Sequence, residues 1–142
     1  MGFLDSLMKG EEEKNETSSS SGVPFKVNVN FSPLRLTAMR DNKVNLIVRI
    51  ANVSGDDQLV SVDASLPRNQ LVGFEPTCIH KMIEKKVGQL KANETTEIVL
   101  PIWANNQTKD GNYPIEVTVY AHYLDYSKVI NSVRKNISLR VV

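Results

Sequence analysis

Two side chains with reactive chemistry lie close together in this sequence. Cys78 and His80 are two residues apart, so on a strand they would share one face. In that position the histidine would serve as the base for a cysteine nucleophile. The alternative interpretation, which we favour, is a small buried cysteine beside an exposed histidine, since free cysteine behaves as a buried apolar residue in most proteins.

No other arrangement of side chains is typical of catalysis. A metal site needs three or four ligands, and no group of cysteine, histidine and aspartate residues has metal-ligand spacing. The sequence also has no glycine-rich loop that would hold a phosphate. His122 is out of phase with the apolar positions of its segment, so we expect it to face away from the core. We predict a protein that is not an enzyme and has no catalytic residues, cofactor or metal.

A group of lysines is the one feature that suggests nucleic acid. Its members are Lys81, Lys85, Lys86 and Lys91. No aromatic side chains alternate with them, although proteins that bind single strands need stacking surfaces. Lysines also protect exposed sheet edges, which accounts for the group equally well. Because the net charge of the whole chain is only +1, we expect no nucleic-acid partner.

The first 22 residues differ in composition from the rest of the chain. Residues 2–9 would form about two helical turns with apolar side chains on one face, namely Phe3, Leu4, Leu7 and Met8. Residues 11–22 are rich in glutamate and serine and contain no large apolar side chain, which is typical of a flexible linker. We therefore predict a flexible arm at residues 1–22 and one folded domain at residues 23–142.

The apolar face of the arm suggests a docking segment. Phe3, Leu4, Leu7 and Met8 would fit the groove of a partner protein or the surface of a membrane. Lipid binding would be weak, because the segment is short and anionic headgroups repel the glutamates after it. The alternative is a passive tail. The sequence contains no apolar run of the length that a membrane-spanning helix needs.

The folded part of the sequence has the spacing of β-strands. Apolar residues alternate with polar ones in short segments separated by turn signals. The clearest segments are Val27 to Phe31, Val44 to Ile50, Val60 to Leu66, Ile98 to Ile102, Tyr113 to Tyr123 and Val133 to Val141. Pro33 and Pro101 interrupt such segments, which favours an edge or a bulge there. We predict an all-β, immunoglobulin-like antiparallel sandwich of seven to eight strands, and leave open which sheet residues 68–83 join.

Cysteine content and glycosylation signals point to different compartments. Cys78 is the only cysteine, so no disulfide forms within the chain, and no secretory signal is visible. Both observations predict a cytoplasmic protein. Five Asn-X-Ser/Thr sites that are not followed by proline favour the cell surface, which is the alternative, although three of them lie in turns that already favour asparagine. The five are Asn15, Asn52, Asn93, Asn106 and Asn136.

The turns carry motifs of a known family. Ala51 to Gly55 (ANVSG) ends one strand, Gly88 to Thr95 (GQLKANET) precedes another, and Asp110 to Val119 (DGNYPIEVTV) opens a third. These motifs resemble the N-x-G, L-x-x-G-E-T and G-x-Y-x-I-x-V elements of the prokaryotic immunoglobulin-like domains of the CARDB and NEW3 type. The resemblance covers residues 40–142. It implies the sandwich fold and a prokaryotic, in particular an archaeal, source, and the family usually occurs in secreted or surface proteins.

The strand that follows Gly111 predicts one specific contact. Tyr113 stands at its start, where a tyrosine hydroxyl can bond back to the preceding loop as a tyrosine corner. The cysteine pair and packed tryptophan of antibody domains are absent from the matching positions.

These observations favour a non-catalytic binding or structural module with an unknown protein partner. We expect the contact surface at an exposed sheet edge or at the loops of residues 68–83 and 105–112. A surface-associated or carbohydrate-contacting domain is the alternative, with Trp103, Tyr120 and Tyr126 as the exposed aromatic contacts. A second alternative is an adaptor recruited to membranes through residues 2–9.

Overall fold

The described part of the chain, residues 23–142 of a computed structural model, consists of β-strands and connections without any helix. The strands are β1 (Phe25–Ser32), β2 (Arg35–Leu36), β3 (Asn42–Asn52), β4 (Gln58–Ser65), β5 (Val72–Gly73), β6 (Met82–Leu90), β7 (Thr95–Ala104), β8 (Gly111–His122) and β9 (Val129–Val141). Seven of them are long, and β2 and β5 have only two residues each. The predicted all-β immunoglobulin-like sandwich is confirmed.

The strands form two sheets. The first sheet has the order β1-β3-β7-β5 and the second has the order β2-β9-β8-β4-β6. Neighbouring strands are antiparallel, with one exception: the short β2 runs parallel to the end of β9. The segment that the sequence left unassigned contributes to both sheets, because β5 pairs with β7 in the first and β6 pairs with β4 in the second.

Apolar side chains from the two facing sheets form the core. On β3 the inward positions are Val44, Leu46, Val48 and Ile50, and on β8 they are Tyr113, Ile115, Val117, Val119 and Ala121. None of these nine side chains is more than 2% exposed. Burying a valine, leucine or isoleucine fully contributes about 1.5–3 kcal/mol. The alternation that is visible in the sequence therefore selects which face of each strand packs inward.

Pro101 in β7 and Gly88 in β6 are unusual residues for a strand, and both lie at or near the edge of a sheet. Beyond β7, strand β5 covers only Trp103 and Ala104, so the stretch of β7 that contains Pro101 has no neighbour on that side. A proline has no N–H to donate, and such an edge tolerates it. At the edge of the second sheet, β6 carries a bulge at Gly88, whose φ is +94°. Bulges of this kind protect edges against pairing with other chains.

Two polar side chains connect the loops to the strands. The buried Tyr113 hydroxyl donates a hydrogen bond to the carbonyl of Lys109, so the expected tyrosine corner is present. At the other end of the sandwich, the Asn52 amide donates to the carbonyls of Asp56 at 2.8 Å and Leu90 at 3.0 Å. Asn52 is only 1% exposed, so this Asn-X-Ser site is part of the core rather than of the surface.

Replacing Gly73 with alanine tests how tightly β5 packs. A Cβ at this position would lie 2.5 Å from the Cα of Cys78 and 2.8 Å from its carbonyl carbon, and backbone atoms cannot move aside cheaply. We expect Gly73→Ala to lower the free energy of unfolding by about 1–3 kcal/mol, measured by urea denaturation. Gly55→Ala is the control, because a Cβ there has nothing within 4 Å. Equal stabilities of the two variants would contradict this packing.

Candidate interaction surfaces

The connection from β5 to β6 is ordered by one carboxylate. Glu75 accepts hydrogen bonds from the backbone N–H groups of Thr77 at 3.0 Å, Ile79 at 2.8 Å and His80 at 2.8 Å. These bonds favour the ionised form, and the bond from His80 is the largest of the effects that lower the pKa of Glu75 below its ordinary value. The carboxylate thus satisfies backbone N–H groups that, in a regular strand, would be hydrogen-bonded to a neighbouring strand.

A lysine satisfies the carbonyls of the same segment. The Lys81 ammonium donates to the carbonyl oxygens of Gln70, Val72 and Cys78. Burial lowers the pKa of Lys81 from its ordinary value, because the charged form is partly removed from water. The sequence grouped Lys81 with surface lysines, but its three donors are directed at the backbone. It is therefore not free to contact phosphates.

Cys78 and His80 are not brought together. Cys78 is 4% exposed, and its sulfur lies 3.4 Å from the carbonyl oxygen of Trp103. His80 is exposed, with Nδ1 3.4 Å from the carboxylate of Glu75. Burial raises the pKa of the Cys78 thiol, so the reactive thiolate is disfavoured. Residues 23–142 also contain no cluster of three or more metal-binding side chains.

The outer face of the second sheet carries a polar group that is largely hidden from water. His122 points outward as expected, yet it is only 7% exposed, and its Nε2 lies 2.7 Å from the Ser61 hydroxyl. Tyr126, from the turn after β8, packs edge-on against the imidazole with 5.1 Å between ring centroids. The Lys86 ammonium lies 5.2 Å from the centre of the Tyr126 ring. The turn is thereby fastened to the face of the sheet.

Asp63 lies beside this group in an unfavourable electrostatic position. It pairs directly across β4 and β6 with Glu84, and the two border an open depression of about 380 Å³ together with Met82 and Ile83. Burial, followed by repulsion from Glu84, raises the pKa of Asp63, while a hydrogen bond from Tyr120 opposes the rise. Its Oδ1 is shielded from water and accepts no hydrogen bond from the described residues.

The three aromatic residues singled out in the sequence are each partly buried. Tyr120 bonds to Asp63, and Tyr126 covers His122. Trp103 lies on the outer face of the first sheet, where the Lys43 ammonium is 5.1 Å from its ring centre. They do not form one surface, since Trp103 belongs to a different sheet from the other two.

Four exposed apolar side chains lie at the hairpin between β8 and β9. We call this set the tip patch, and it consists of Tyr123, Leu124, Val129 and Ile130, which are 56%, 74%, 54% and 58% exposed. The turn that carries it is well bonded. The N–H of Tyr123 donates to Lys128 O at 2.9 Å, and the Asp125 carboxylate accepts from the N–H of Ser127 at 2.9 Å. Hydrogen bonds from Ser127 lower the pKa of Asp125 from its ordinary value.

Leu124 has a backbone conformation that does not suit leucine. Its φ is +69°, in the left-handed region, which costs about 1–2 kcal/mol for a residue with a Cβ. Its side chain is the most exposed of the tip patch, so packing within the domain does not offset this cost. Glycine or asparagine would be more stable at this position. Fold stability therefore does not account for a leucine here.

The tip patch was not predicted from the sequence. Tyr123 was assigned to the end of a strand, and Leu124, Val129 and Ile130 were not assigned to any element. The available signal was the density of large apolar side chains on both sides of a short polar turn. The predicted docking segment of the arm, Phe3, Leu4, Leu7 and Met8, lies outside the described residues. Residues 23–142 contain no helix that would cross a lipid bilayer.

Comparison with known proteins supports the fold and nothing finer. No protein-family model matches the chain, and no curated protein sequence does. Among solved structures, the chain is similar to Pseudomonas fluorescens alkylpurine DNA glycosylase AlkC bound to DNA containing an abasic site analog, with TM-score 0.50, 12% identity and 86% of this chain covered. The chain spans 31% of that glycosylase. At this identity the similarity shows a shared sandwich fold only.

Two further similarities are weaker. The ASH or PapD-like domain 7 of human CEP192 has TM-score 0.47 and 12% identity, covering 95% of this chain and 96% of that domain. A β-glucosidase from Kluyveromyces marxianus has TM-score 0.35 and 13% identity, covering 88% of this chain and 16% of the glucosidase. Neither supports a conclusion about function.

Alkylation of Cys78 measures the environment of the only thiol. Because the thiol is buried and its pKa is raised, we expect it to react with iodoacetamide at neutral pH at least about tenfold more slowly than a cysteine in an unstructured peptide. Denaturation in urea should restore the ordinary rate. A rate in the folded protein equal to that of the peptide would mean that the thiol is accessible and activated.

Removing the charge of Asp63 should stabilise the domain at neutral pH. A carboxyl whose pKa is raised on folding reduces stability once pH exceeds its unfolded value of 3.8, and this loss disappears below that value. We expect Asp63→Asn to raise the free energy of unfolding at pH 7 by about 0.5 kcal/mol after solvent screening, and to have almost no effect near pH 2.5, well below the unfolded pKa. Asp56→Asn, at an exposed aspartate, is the control. A stabilisation that is the same at both pH values would contradict this electrostatic origin.

Proposed function

We propose that this domain is a non-catalytic protein-binding module and that the tip patch is its contact surface. The observation that supports the proposal is the exposure of Leu124 from a hydrogen-bonded turn in a conformation that is unfavourable for leucine. Strained residues that the fold does not require are concentrated at functional sites. A binding partner that buries Leu124 would provide the stabilisation that the free domain lacks.

The tip patch has the chemistry of a protein contact. A small number of aromatic and aliphatic anchors carry most of the affinity of protein interfaces. Tyr123 and Leu124 are such anchors, and Val129 and Ile130 extend them along β9. Because the turn is already fixed by its own hydrogen bonds, binding would lose little backbone entropy.

The position of the patch within the fold also supports this proposal. The turn of the β8–β9 hairpin and the β3–β4 loop lie at the same end of the sandwich, since the first residues of β4 pair with the last residues of β8. In antibody variable domains the equivalent loops form the antigen-binding end. This is an analogy at the level of the fold. It moves the proposed contact from the loops of residues 68–83 and 105–112, which lie at the opposite end, to the tip.

The finer classification is part of the same proposal. We infer a place among prokaryotic immunoglobulin-like domains of the CARDB and NEW3 type from the turn motifs around Asn52, Asn93 and Tyr113. A buried, unpaired Cys78 supports a reducing, cytoplasmic location. Neither inference depends on the identity of the binding partner.

Substituting Leu124 with asparagine separates binding from stability. Asparagine tolerates positive φ, so we expect Leu124→Asn to raise the free energy of unfolding by about 1 kcal/mol. The same change removes the apolar anchor, so a protein captured by the immobilised full chain should bind the variant at least about tenfold more weakly. Binding would be measured by quantitative capture from an extract of the source organism and then by titration with the purified partner.

Met39→Asn is the matched control for this experiment. Met39 also has positive φ, at +58°, and is 64% exposed, but it lies at the opposite end of the sandwich. We expect this variant to gain similar stability and to bind the partner within about twofold of the wild type. If Leu124→Asn and Met39→Asn leave capture equally unchanged, the tip patch is not the contact surface.

A further inference from the structure

We propose that residues 3–8 of the same chain dock on the tip patch and compete with the partner for it. The contact itself depends only on the geometry given below, whereas its regulatory role rests on the proposed function. An exposed apolar surface of several large side chains is unfavourable in water unless something covers it. Three features of the chain identify its own N-terminal segment as that cover.

The first feature is where the chain enters the domain. The Pro24 carbonyl accepts a hydrogen bond from Val53 N–H at 2.8 Å, so the entry point lies beside the β3–β4 loop, at the end that carries the tip patch. β1 and β9 contact each other at the side of the sandwich, and both strands begin at this end. The start of β1 and the start of β9 at Val129 therefore lie at the same end of the sandwich.

The second feature is the length of the connecting segment. Residues 9–22 separate the apolar segment from the domain, and their composition is that of a coil rich in serine and glutamate. A coil of this length has a root-mean-square span of about 20 Å. The tip patch and the entry point lie at the same end of the domain, which is within the reach of such a coil. Effective concentration is highest when the span of a linker matches the distance that it must bridge.

The third feature is complementary chemistry. Phe3, Leu4, Leu7 and Met8 provide an apolar face that can cover Tyr123, Leu124, Val129 and Ile130. Charge adds a weak long-range attraction: residues 1–24 contain two basic and five acidic groups, a net of −3, and the remaining residues contain fifteen and eleven, a net of +4. The segment and the patch are thus matched in polarity, and the two parts of the chain are opposite in charge.

The contact between the arm and the tip patch would be weak enough for a partner protein to displace the arm. A flexible linker of this kind gives an effective concentration of about 1 mM. A contact with an intrinsic dissociation constant of about 1 mM would then cover the patch about half of the time and weaken partner binding about twofold. The arm would protect the patch in the free protein without blocking a partner of higher affinity.

Nuclear magnetic resonance on the full chain tests the docking directly. In Leu4→Ser/Leu7→Ser, which leaves the folded domain unchanged, we expect methyl signals of Leu124, Val129 and Ile130 to shift and those of Met39 to stay in place. In Leu124→Asn, we expect ¹⁵N relaxation to show residues 3–8 becoming more mobile, whereas Met39→Asn should leave their relaxation unchanged. Wild-type signals should not depend on protein concentration.

Each other result would overturn the proposal. Unchanged methyl signals in Leu4→Ser/Leu7→Ser would mean that the arm does not contact the patch. Signals that change on dilution would assign the cover to a second copy of the chain. These measurements do not depend on partner capture, so they distinguish a failure of the proposed function from a failure of arm docking. If Leu124→Asn loses partner capture but does not change the mobility of residues 3–8, the proposed function is supported and arm docking is refuted.

Discussion

Packing between the two sheets positions every other feature of this domain. The inward side chains of β3 and β8, which are both internal strands, form the centre of the core and are almost completely buried. A shift of one residue in either strand would move its apolar side chains to the solvent face. The register is therefore fixed by burial, and it determines where each connection leaves the sheets. The tip patch, the depression at Asp63 and the ordered loop at Glu75 all follow from it.

The same register explains which parts of the fold could be predicted from sequence. The strands β3 and β8 were predicted from their alternating apolar residues. Every second side chain of a strand faces the core, so burial produces a sequence pattern with a period of two residues. Tyr113 gave the corner bond, because a tyrosine at a strand start has few other ways to satisfy its hydroxyl. Pro101 indicated an edge for the equally local reason that it has no N–H. These signals depend on one residue and its immediate neighbours.

The features that the sequence did not predict depend on residues that are distant in the chain. Lys81 has the composition of a surface lysine, yet it is held by carbonyls from Gln70 and Val72 that only the fold brings near it. His122 was expected to face outward and does, but Tyr126 and Ser61 remove it from water. The tip patch was not predicted because the local sequence pattern does not distinguish an apolar residue that faces the core from one that is exposed to solvent.

The bonding of the β8–β9 turn makes its shape independent of the apolar side chains that it exposes. Its shape is set by backbone hydrogen bonds and by the Asp125 carboxylate, and none of these groups belongs to the side chains of the tip patch. If the tip patch is the contact surface that we propose, substitutions at Tyr123, Leu124, Val129 or Ile130 would alter recognition while the scaffold stays the same. Mutational drift would then diversify partners at these four positions faster than it eroded the fold, and a library randomised there would yield binders of new specificity on one unchanged framework.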